Sequence, residues 1–243
     1  MNQLPLQVQI LVISLKRSLD RRKQVEQEMQ KISLPWTFLD AIDGSALVVP
    51  PVEYKPNKVK RLQGYALTPN EIGCYLSHKE AWKCCVAKNS PTLILEDDFV
   101  LSSNFEEALN ILLHEVEEWN FVRLQGLYEV PFQNVFKQSV LTLVKNQGDA
   151  VGATAYLLKP WVAAKLIKHS VDIYEPVDHF LEHHQRHHLE FLALRPYPVD
   201  ITRAESTIAD RSERAPVRGL QKRIRSVARV VDRVFSKEPW FPN

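Results

Sequence analysis

The opening of the chain alternates between apolar and amphipathic segments, and this pattern limits the possible folds more than any other feature. Residues 8–14 (VQILVIS) form a β-branched, apolar run that is typical of a buried strand. Ser18 is a favourable N-cap for the helical segment that follows. Residues 37–41 predict a second strand, which ends at the turn Asp43-Gly44. A strand–helix–strand opening predicts an α/β fold with a parallel sheet.

The rest of the chain continues this alternation. Thr68, Pro69 and Glu71 combine a capping box with a proline at the first helical position, so a helix is predicted to begin sharply there. Residues 47–63 are rich in proline and lysine and are expected to form an irregular surface loop. Further helices are predicted at 105–116, at 160–169 and near residue 178, and further strands at 92–95, 121–124, 140–144, 153–158 and 190–194.

Composition narrows the class of protein. The 243 residues suffice for one large α/β domain or two small ones, and the net charge of +2 is too small to imply a nucleic-acid partner. The first nine residues lack the features of a signal peptide, and no apolar run approaches the roughly 20 residues that span a bilayer. Cys74, Cys84 and Cys85 form no CxxC pair and are expected to be reduced thiols. A cytoplasmic protein is therefore expected.

Three consecutive acids, Glu96, Asp97 and Asp98, directly follow the predicted strand 92–95. Ligands of open α/β sheets bind at the carboxyl ends of strands, and neighbouring carboxylates repel each other unless a cation compensates them. Mg²⁺ or Mn²⁺ takes such oxygen ligands. In an extended chain Glu96 and Asp98 point the same way, so they are predicted to share the metal while Asp97 faces another group. The alternative is a solvated acidic turn, which could also cap the next helix.

Several ordered segments between about residues 8 and 210 form a recognisable set. The most specific is PNEIGCYLSHKEAW followed by LILEDDFVL, and the looser ones are VISLKRSLDRR, LDAIDGS, GATAYLLKPWVAAKLI and PVDHFL. Together these segments resemble glycosyltransferase family 25, whose bacterial members build lipooligosaccharide. The resemblance implies a GT-A-like, Rossmann-type nucleotide-sugar domain over residues 1–213. In GT-A folds an acid-x-acid element binds the metal and the donor diphosphate. Glu96 stands where many of them have aspartate, so its contact with the metal can be direct or through water.

The resemblance also implies residue roles. Glu96 and Asp98 would hold the metal, and the residues implied at the donor are Ser14, Leu15, Arg22, Asp43, Ser77, His78 and Asp97. Ser14 and Leu15 lie in the loop that would meet the uridine, and Arg22 could pair with a phosphate or an acid. Structural alternatives stay open: Lys16, Arg17, Arg21 and Arg22 as a solvated helix start, Asp43 as an ordinary turn, Ser77 as a satisfied core hydroxyl, and His78 as a surface histidine.

Asp178, in the segment PVDHF, matches the family's late aspartate and is the candidate general base for the acceptor hydroxyl. The alternative role is an N-cap, which aspartate favours. Arg123 and Gln125 end a predicted strand and are candidates for reading sugar hydroxyls. The chain contains two i, i+4 pairs of histidines, His183/His187 and His184/His188, which could bind zinc on a helix. An exposed helix face is favoured, because there is no HExxH motif and no nearby cysteine to complete a set of zinc ligands.

Residues 214–243 differ from the rest of the chain. Apolar residues between 217 and 234 recur every three or four positions, and a basic band follows the same rhythm. This pattern predicts a C-terminal amphipathic helix that binds an anionic membrane surface or, equally, docks on the domain with its arginines in water.

Together these features predict transfer of a hexose from a UDP-sugar to a lipid-linked lipooligosaccharide or lipopolysaccharide acceptor, with Mn²⁺ or Mg²⁺. The resemblance favours UDP-galactose and a β linkage, and the basic C-terminal segment suits a peripheral position at the cytoplasmic face of the inner membrane. The alternatives are a glucosyltransferase, a protein-directed galactosyltransferase of the same family, or a non-catalytic module that binds metal or membrane.

Overall fold

A large central sheet with helices on both faces organises the computed structural model, which describes residues 8–202. Its strands are β1 (Gln9–Ser14), β2 (Thr37–Asp40), β3 (Thr92–Glu96), β4 (Phe99–Leu101), β5 (Phe121–Arg123), β6 (Phe132–Gln138), β7 (Leu141–Asn146), β8 (Ala155–Leu158), β9 (Leu192–Arg195) and β10 (Val199–Ile201). Its helices are α1 (Leu19–Met29), α2 (Pro56–Gln63), α3 (Pro69–Lys88), α4 (Phe105–His114), α5 (Pro160–His169), α6 (Val177–Glu182) and α7 (His184–His187). The predicted α/β class is confirmed, whereas the predicted C-terminal helix lies outside the described residues.

The main sheet has eight strands in the order β2-β1-β3-β8-β5-β9-β7-β6, and a small second sheet pairs β10 with β4. β1 is parallel to β2 and β3, as the opening pattern predicts, but β8 runs antiparallel to both β3 and β5. The predicted parallel pairing is therefore confirmed for β1, β2 and β3, and β5 also pairs in parallel with β9, whereas β8 is an antiparallel insertion between β3 and β5. A parallel neighbour needs a long crossover, usually helical, and residues 124–154 between β5 and β8 contain no helix.

Strand β1 shows why its sequence is almost continuously apolar. Ile10 and Val12 join one core, against α1 and α4, whereas Leu11 and Ile13 join the other, against α3, α5 and α6. A strand covered by helices on both faces has no side that prefers polar residues. Among residues 8–202, no helix is both long enough and apolar enough to cross a membrane.

Local end signals explain two helices near the site. At the start of α3, the Thr68 hydroxyl accepts a hydrogen bond from the Glu71 amide at 3.2 Å, and the Glu71 carboxylate accepts one from the Thr68 amide at 2.9 Å. This confirms the predicted capping box. The predicted irregular loop is wrong over α2, which begins at Pro56 and is closed by Gly64 at φ 80°. Proline first and a left-handed glycine last are the signals that mark this helix.

Candidate functional site

The three acids lie in one cavity at the carboxyl ends of β1 and β3. The parallel register places Ile13 beside Glu96, so the chain leaving β1 and the chain leaving β3 emerge together at this edge. Among the residues that line the cavity are Ser14, Leu15, Arg21, Ser77, Glu96, Asp97 and Asp98. Residues separated by more than eighty positions in the sequence therefore meet at the place where α/β sheets bind ligands.

Glu96 is held by three side-chain donors. Its Oε1 faces His78 Nε2 at 3.1 Å and Cys74 Sγ at 3.5 Å, and its Oε2 accepts a hydrogen bond from the Thr154 hydroxyl at 3.2 Å. Burial acts to raise the pKa of Glu96, but the hydrogen bond from His78, with the other two donors, holds that pKa below its ordinary value. The Glu96 carboxylate is therefore kept charged and fixed in orientation.

Asp97 faces other groups, as the sequence predicts. Its Oδ2 accepts a hydrogen bond from the Ser14 hydroxyl at 2.7 Å, and its Oδ1 pairs with the Arg21 guanidinium at 2.7 Å. Ser14 is fully buried and Arg21 is largely buried. Asp97 thus ties the end of β3 to the end of β1 and to the first turn of α1.

Asp98 has the least compensated charge of the three. Its Oδ1 is buried and has no hydrogen-bond partner within residues 8–202. Burial, together with the charges of Glu96 and Asp97, raises the pKa of Asp98 to about 7. An unpartnered carboxylate oxygen beside two further carboxylates fits a hard divalent cation, so the donor set suits Mn²⁺ or Mg²⁺.

The local backbone differs from the expected extended chain. β3 ends at Glu96, and Asp97 and Asp98 form the turn before β4, so the premise that alternation aligns Glu96 with Asp98 is wrong. The alternative role as a helix cap is wrong, because Asn104 and not an acid of the cluster precedes α4, and the acids are partly exposed. Tertiary packing brings all three carboxylates to the cavity.

The predicted donor residues occupy two kinds of position around the cavity. Ser77 lines it, and its hydroxyl accepts a hydrogen bond from the Ile42 amide at 2.8 Å while donating to the Gly73 carbonyl at 2.7 Å. His78 does not line the cavity; it is fully buried behind Glu96. The alternative of a surface histidine is therefore wrong, and His78 supports the site from the core.

Two arginines around the start of α1 form ion pairs with acids at or just after the end of β2. Arg22 does not line the cavity; its guanidinium pairs with Asp40 and donates to the Ser14 carbonyl at 2.8 Å, so its partner is an acid. Arg17 donates to Asp43 at 2.6 Å, and this hydrogen bond lowers the Asp43 pKa. Asp43 caps the short turn that begins at Gly44. Sequence analysis does not assign Arg21 to the sugar-donor site. Its position in the first turn of the helix after β1 is the signal that could have indicated it.

Asp178 lies in the first turn of α6, buried and outside the cavity of the acids. Its Oδ1 accepts a hydrogen bond from the His179 amide at 2.9 Å. Pro176 occupies the N-cap, so the alternative role of Asp178 as a cap is wrong. The Asp178 carboxylate interacts electrostatically with Arg123. Burial lowers the pKa of Arg123 below its ordinary value, and the charges of Glu182 and Asp178 partly offset this decrease.

Arg123 is committed to protein partners. It pairs with Glu182 at 2.8 Å and donates to the carbonyls of Val151 and Gly152. Both charged side chains are buried, so this pair fixes the segment before β8 to α6. Gln125 is buried nearby, and its Oε1 atom has no hydrogen-bond partner between residues 8 and 202.

The histidine segment does not form one helix face. α6 ends at Glu182 and α7 begins at His184, which separates the i, i+4 pairs. His184 and His188 are exposed, as expected, but the expectation is wrong for His187, which is fully buried. The His187 ring faces the Phe180 and Leu181 carbonyls through Nε2 and accepts from the Leu189 amide through Nδ1.

Cys74 is both one of three free thiols and a member of a cluster of potential metal-ligand atoms. Cys74, Cys84 and Cys85 are free thiols, as predicted. Within residues 8–202, one group of at least three His, Cys, Asp or Glu side chains has its ligand atoms within 4.8 Å of one another, namely Cys74, His78 and Glu96. The sulfur and the ring nitrogen both meet the same Glu96 oxygen at hydrogen-bond distances.

Comparison with known proteins identifies relatives. The family model described as glycosyltransferase family 25 (LPS biosynthesis protein) matches residues 7–181. The human protein named inactive glycosyltransferase 25 family member 3 is 30% identical over 184 residues, which are 71% of this chain and 31% of that protein. Human procollagen galactosyltransferase 2 is 30% identical over 118 residues, which are 45% of this chain and 18% of that protein. The chain thus spans about a third or less of the length of these relatives.

A solved structure is also similar. It is the crystal structure of a glycosyltransferase involved in the glycosylation of the major capsid of PBCV-1, with a TM-score of 0.33 and 8% sequence identity. The match covers 67% of this chain and 66% of that one.

Proposed function

We infer, since this chain belongs to glycosyltransferase family 25, that it is a metal-dependent hexosyltransferase that uses a nucleotide-sugar donor. The donor we propose is UDP-galactose, and the acceptor is a saccharide of lipooligosaccharide or lipopolysaccharide, joined through a β linkage. One observation carries the proposal: Asp98, whose buried Oδ1 has no partner among the described residues, lines a cavity with two further carboxylates at the carboxyl ends of β1 and β3.

The cavity supports a donor site in which each residue has a distinct task. Ser14 and Leu15 line the side formed by β1, where we place the uridine, and the acids line the side where we place the diphosphate. Glu96 and Asp98 would hold Mn²⁺ or Mg²⁺, which would neutralise charge on the departing nucleoside diphosphate. Asp97 would keep the two sides together through Ser14 and Arg21.

Asp178 is our proposed general base for the acceptor hydroxyl. Its place outside the acid-lined cavity suits a residue that acts on the acceptor rather than on the nucleotide. Its buried position in α6, next to the fixed pair Arg123 and Glu182, would hold its carboxylate in one orientation.

Two alternatives follow from the relatives. Relatives named procollagen galactosyltransferase support galactose as the sugar, with protein as a second class of acceptor. Relatives named as inactive favour a non-catalytic protein that binds a metal or nucleotide without transfer. Hydrolysis of UDP-galactose, compared with UDP-glucose and with EDTA in place of Mn²⁺, separates these possibilities. Metal-dependent turnover supports the transferase, and binding of UDP without turnover on any acceptor supports the non-catalytic protein.

The variant Asp98→Asn tests the metal assignment. We expect turnover to fall by at least about 100-fold, because the change removes a ligand of the metal that would neutralise charge on the leaving diphosphate. Folding should be nearly unchanged, since the change also removes repulsion from Glu96 and Asp97. Asp20→Asn is the matched control, as Asp20 is exposed on α1. Near-normal turnover by Asp98→Asn would show that this acid is not part of the metal site.

The proposed contact with the membrane rests on residues 214–243. Their sequence carries a basic band, and each basic residue near an anionic surface contributes about 1 kcal/mol. We propose that this segment holds the enzyme at the cytoplasmic face of the inner membrane, close to a lipid-linked acceptor. Binding to anionic vesicles should fall when these residues are removed or when salt rises, while activity on a short soluble acceptor should persist. Salt-independent binding would contradict this role.

A further inference from the structure

A chain of buried, hydrogen-bonded side chains leads from the core to Glu96. Trp82 Nε1 donates to the Tyr156 hydroxyl at 2.9 Å. That hydroxyl lies 2.7 Å from His78 Nδ1, and His78 Nε2 lies 3.1 Å from the Glu96 carboxylate. Trp82 and His78 are 0% exposed and Tyr156 is 2% exposed, so water does not compete for these contacts.

The direction of the hydrogen bonds follows from counting donors and acceptors. Trp82 can only donate, so it occupies one lone pair of the Tyr156 oxygen. Among the described residues, the only other hydrogen-bond partner recorded for this hydroxyl is His78, so its proton goes to Nδ1. His78 Nδ1 is then an acceptor, and the remaining ring proton lies on Nε2, where it is donated to Glu96. The reverse arrangement would leave the buried Tyr156 proton without an acceptor.

We propose that the Trp82–Tyr156–His78 chain positions the Glu96 carboxylate for the metal by fixing His78 in the Nε2–H tautomer. The proposal rests on the proposed function, in which Glu96 belongs to the metal site. The chain orients Oε1, and the Thr154 hydroxyl orients Oε2, so both oxygens of Glu96 have fixed donors. His78, Tyr156 and Trp82 are positioning residues, because none of them lines the cavity.

The same core supplies a matched pair of tyrosines for the test. Tyr156→Phe removes the hydroxyl that joins Trp82 to His78. Tyr75→Phe removes a hydroxyl that is also fully buried but has no hydrogen-bond partner in the described part of the chain, from a ring that packs against Trp82. Both variants lose one oxygen from the core on the same face of the sheet, and only the first breaks the chain. A purely structural role would change stability without a selective change in metal binding.

Two measurements on the full chain decide the matter. Long-range ¹H–¹⁵N NMR of the imidazoles, with His78 assigned by its loss in His78→Gln, should show the Nε2–H tautomer in the wild type and a mixture of tautomers in Tyr156→Phe. Titration of Mn²⁺ in the presence of UDP, followed by electron paramagnetic resonance, should show affinity about 10-fold lower in Tyr156→Phe and unchanged in Tyr75→Phe.

Each contrary result has a distinct meaning. A wild-type Nδ1–H tautomer, or normal Mn²⁺ affinity in folded Tyr156→Phe, overturns the positioning role while leaving the proposed transferase intact. Equal losses in the two tyrosine variants also overturn it, because they would indicate a general effect of the core. A wild-type protein that binds no Mn²⁺ with UDP overturns both proposals, whichever tautomer His78 adopts.

Discussion

At the scale of single residues, the three acids differ in how their charge is compensated. Glu96 has three donors, and Asp97 has Ser14 and Arg21, whereas Asp98 keeps a buried oxygen that no described residue pairs with. The order of the letters Glu-Asp-Asp does not reveal this difference. It arises because the groups that meet Glu96 and Asp97 come from α3, β1, α1 and the segment before β8.

Asp178→Asn tests the proposed base at the same scale. We expect kcat to fall by about 100-fold or more, because general base catalysis contributes on that order, while the Kd for UDP stays near the wild-type value. Turnover and UDP binding are measured separately, by transfer kinetics and by calorimetry. A loss of UDP affinity with normal kcat would make Asp178 a binding residue instead. Asp200→Asn, at an exposed position in β10, is the control.

At the scale of elements, a close approach between α3 and the loop after β2 shapes the cavity. A Cβ atom on Gly73 would lie 2.6 Å from both the Ile42 carbonyl oxygen and the Gly44 nitrogen. A Cβ atom on Gly44 would lie 1.9 Å from the Pro69 carbonyl oxygen. Because backbone blocks both positions, glycine is required for the helix and the loop to meet, and Ser77 then bonds to Ile42 across the contact.

Gly73→Ala tests this contact. The added methyl group has to push the loop away from α3, so we expect a loss of about 1–3 kcal/mol in the free energy of unfolding, together with weaker UDP binding. Gly148→Ala is the matched control, because its Cβ would meet its nearest neighbour at 3.6 Å, an ordinary contact distance. Urea unfolding and calorimetry give the two quantities. Equal stability of the two variants would refute the packing argument.

At the scale of the whole molecule, buried ionisable groups connect the stability of the fold to pH. His187 is fully buried, and burial, with a contribution from the charge of His184, lowers its pKa to about 3. An unfolded histidine titrates near 6.5. Between these two values the unfolded chain binds a proton that the folded protein does not. The folded state is therefore progressively disfavoured as the pH falls from about 6.5 to about 3.

His187→Gln tests this linkage. Each pKa unit of difference corresponds to about 1.4 kcal/mol, so the wild-type free energy of unfolding should carry a contribution from His187 that declines by about that amount per pH unit below 6.5. The variant should be less stable at pH 8 but should lose less stability on acidification. Chemical unfolding at pH 8, 6 and 5 measures both effects. Identical slopes for the two proteins would mean that His187 does not titrate on unfolding.

Short-range patterns in the sequence alone determined a substantial part of this protein. The strand–helix–strand opening, the capping box of α3 and the acids at the end of β3 were all predictable, because each depends on residues within a few positions of one another. End signals for α2 were present too, in Pro56 and Gly64, although a proline- and lysine-rich composition favoured a loop. The family resemblance is likewise carried by short contiguous blocks, and the family model confirms it.

Only the tertiary structure decided which distant residues meet. Ser14 and Asp97 are 83 positions apart, and Tyr156 and His78 are 78 apart, yet both pairs are in hydrogen-bond contact. The antiparallel insertion of β8 between β3 and β5 brings Tyr156 to His78 and Thr154 to Glu96, and no local pattern encodes that placement. Burial of His78 and His187 has the same origin. Periodicity specifies which face of an element is apolar, whereas the partner of a polar group on that face depends on how the elements pack.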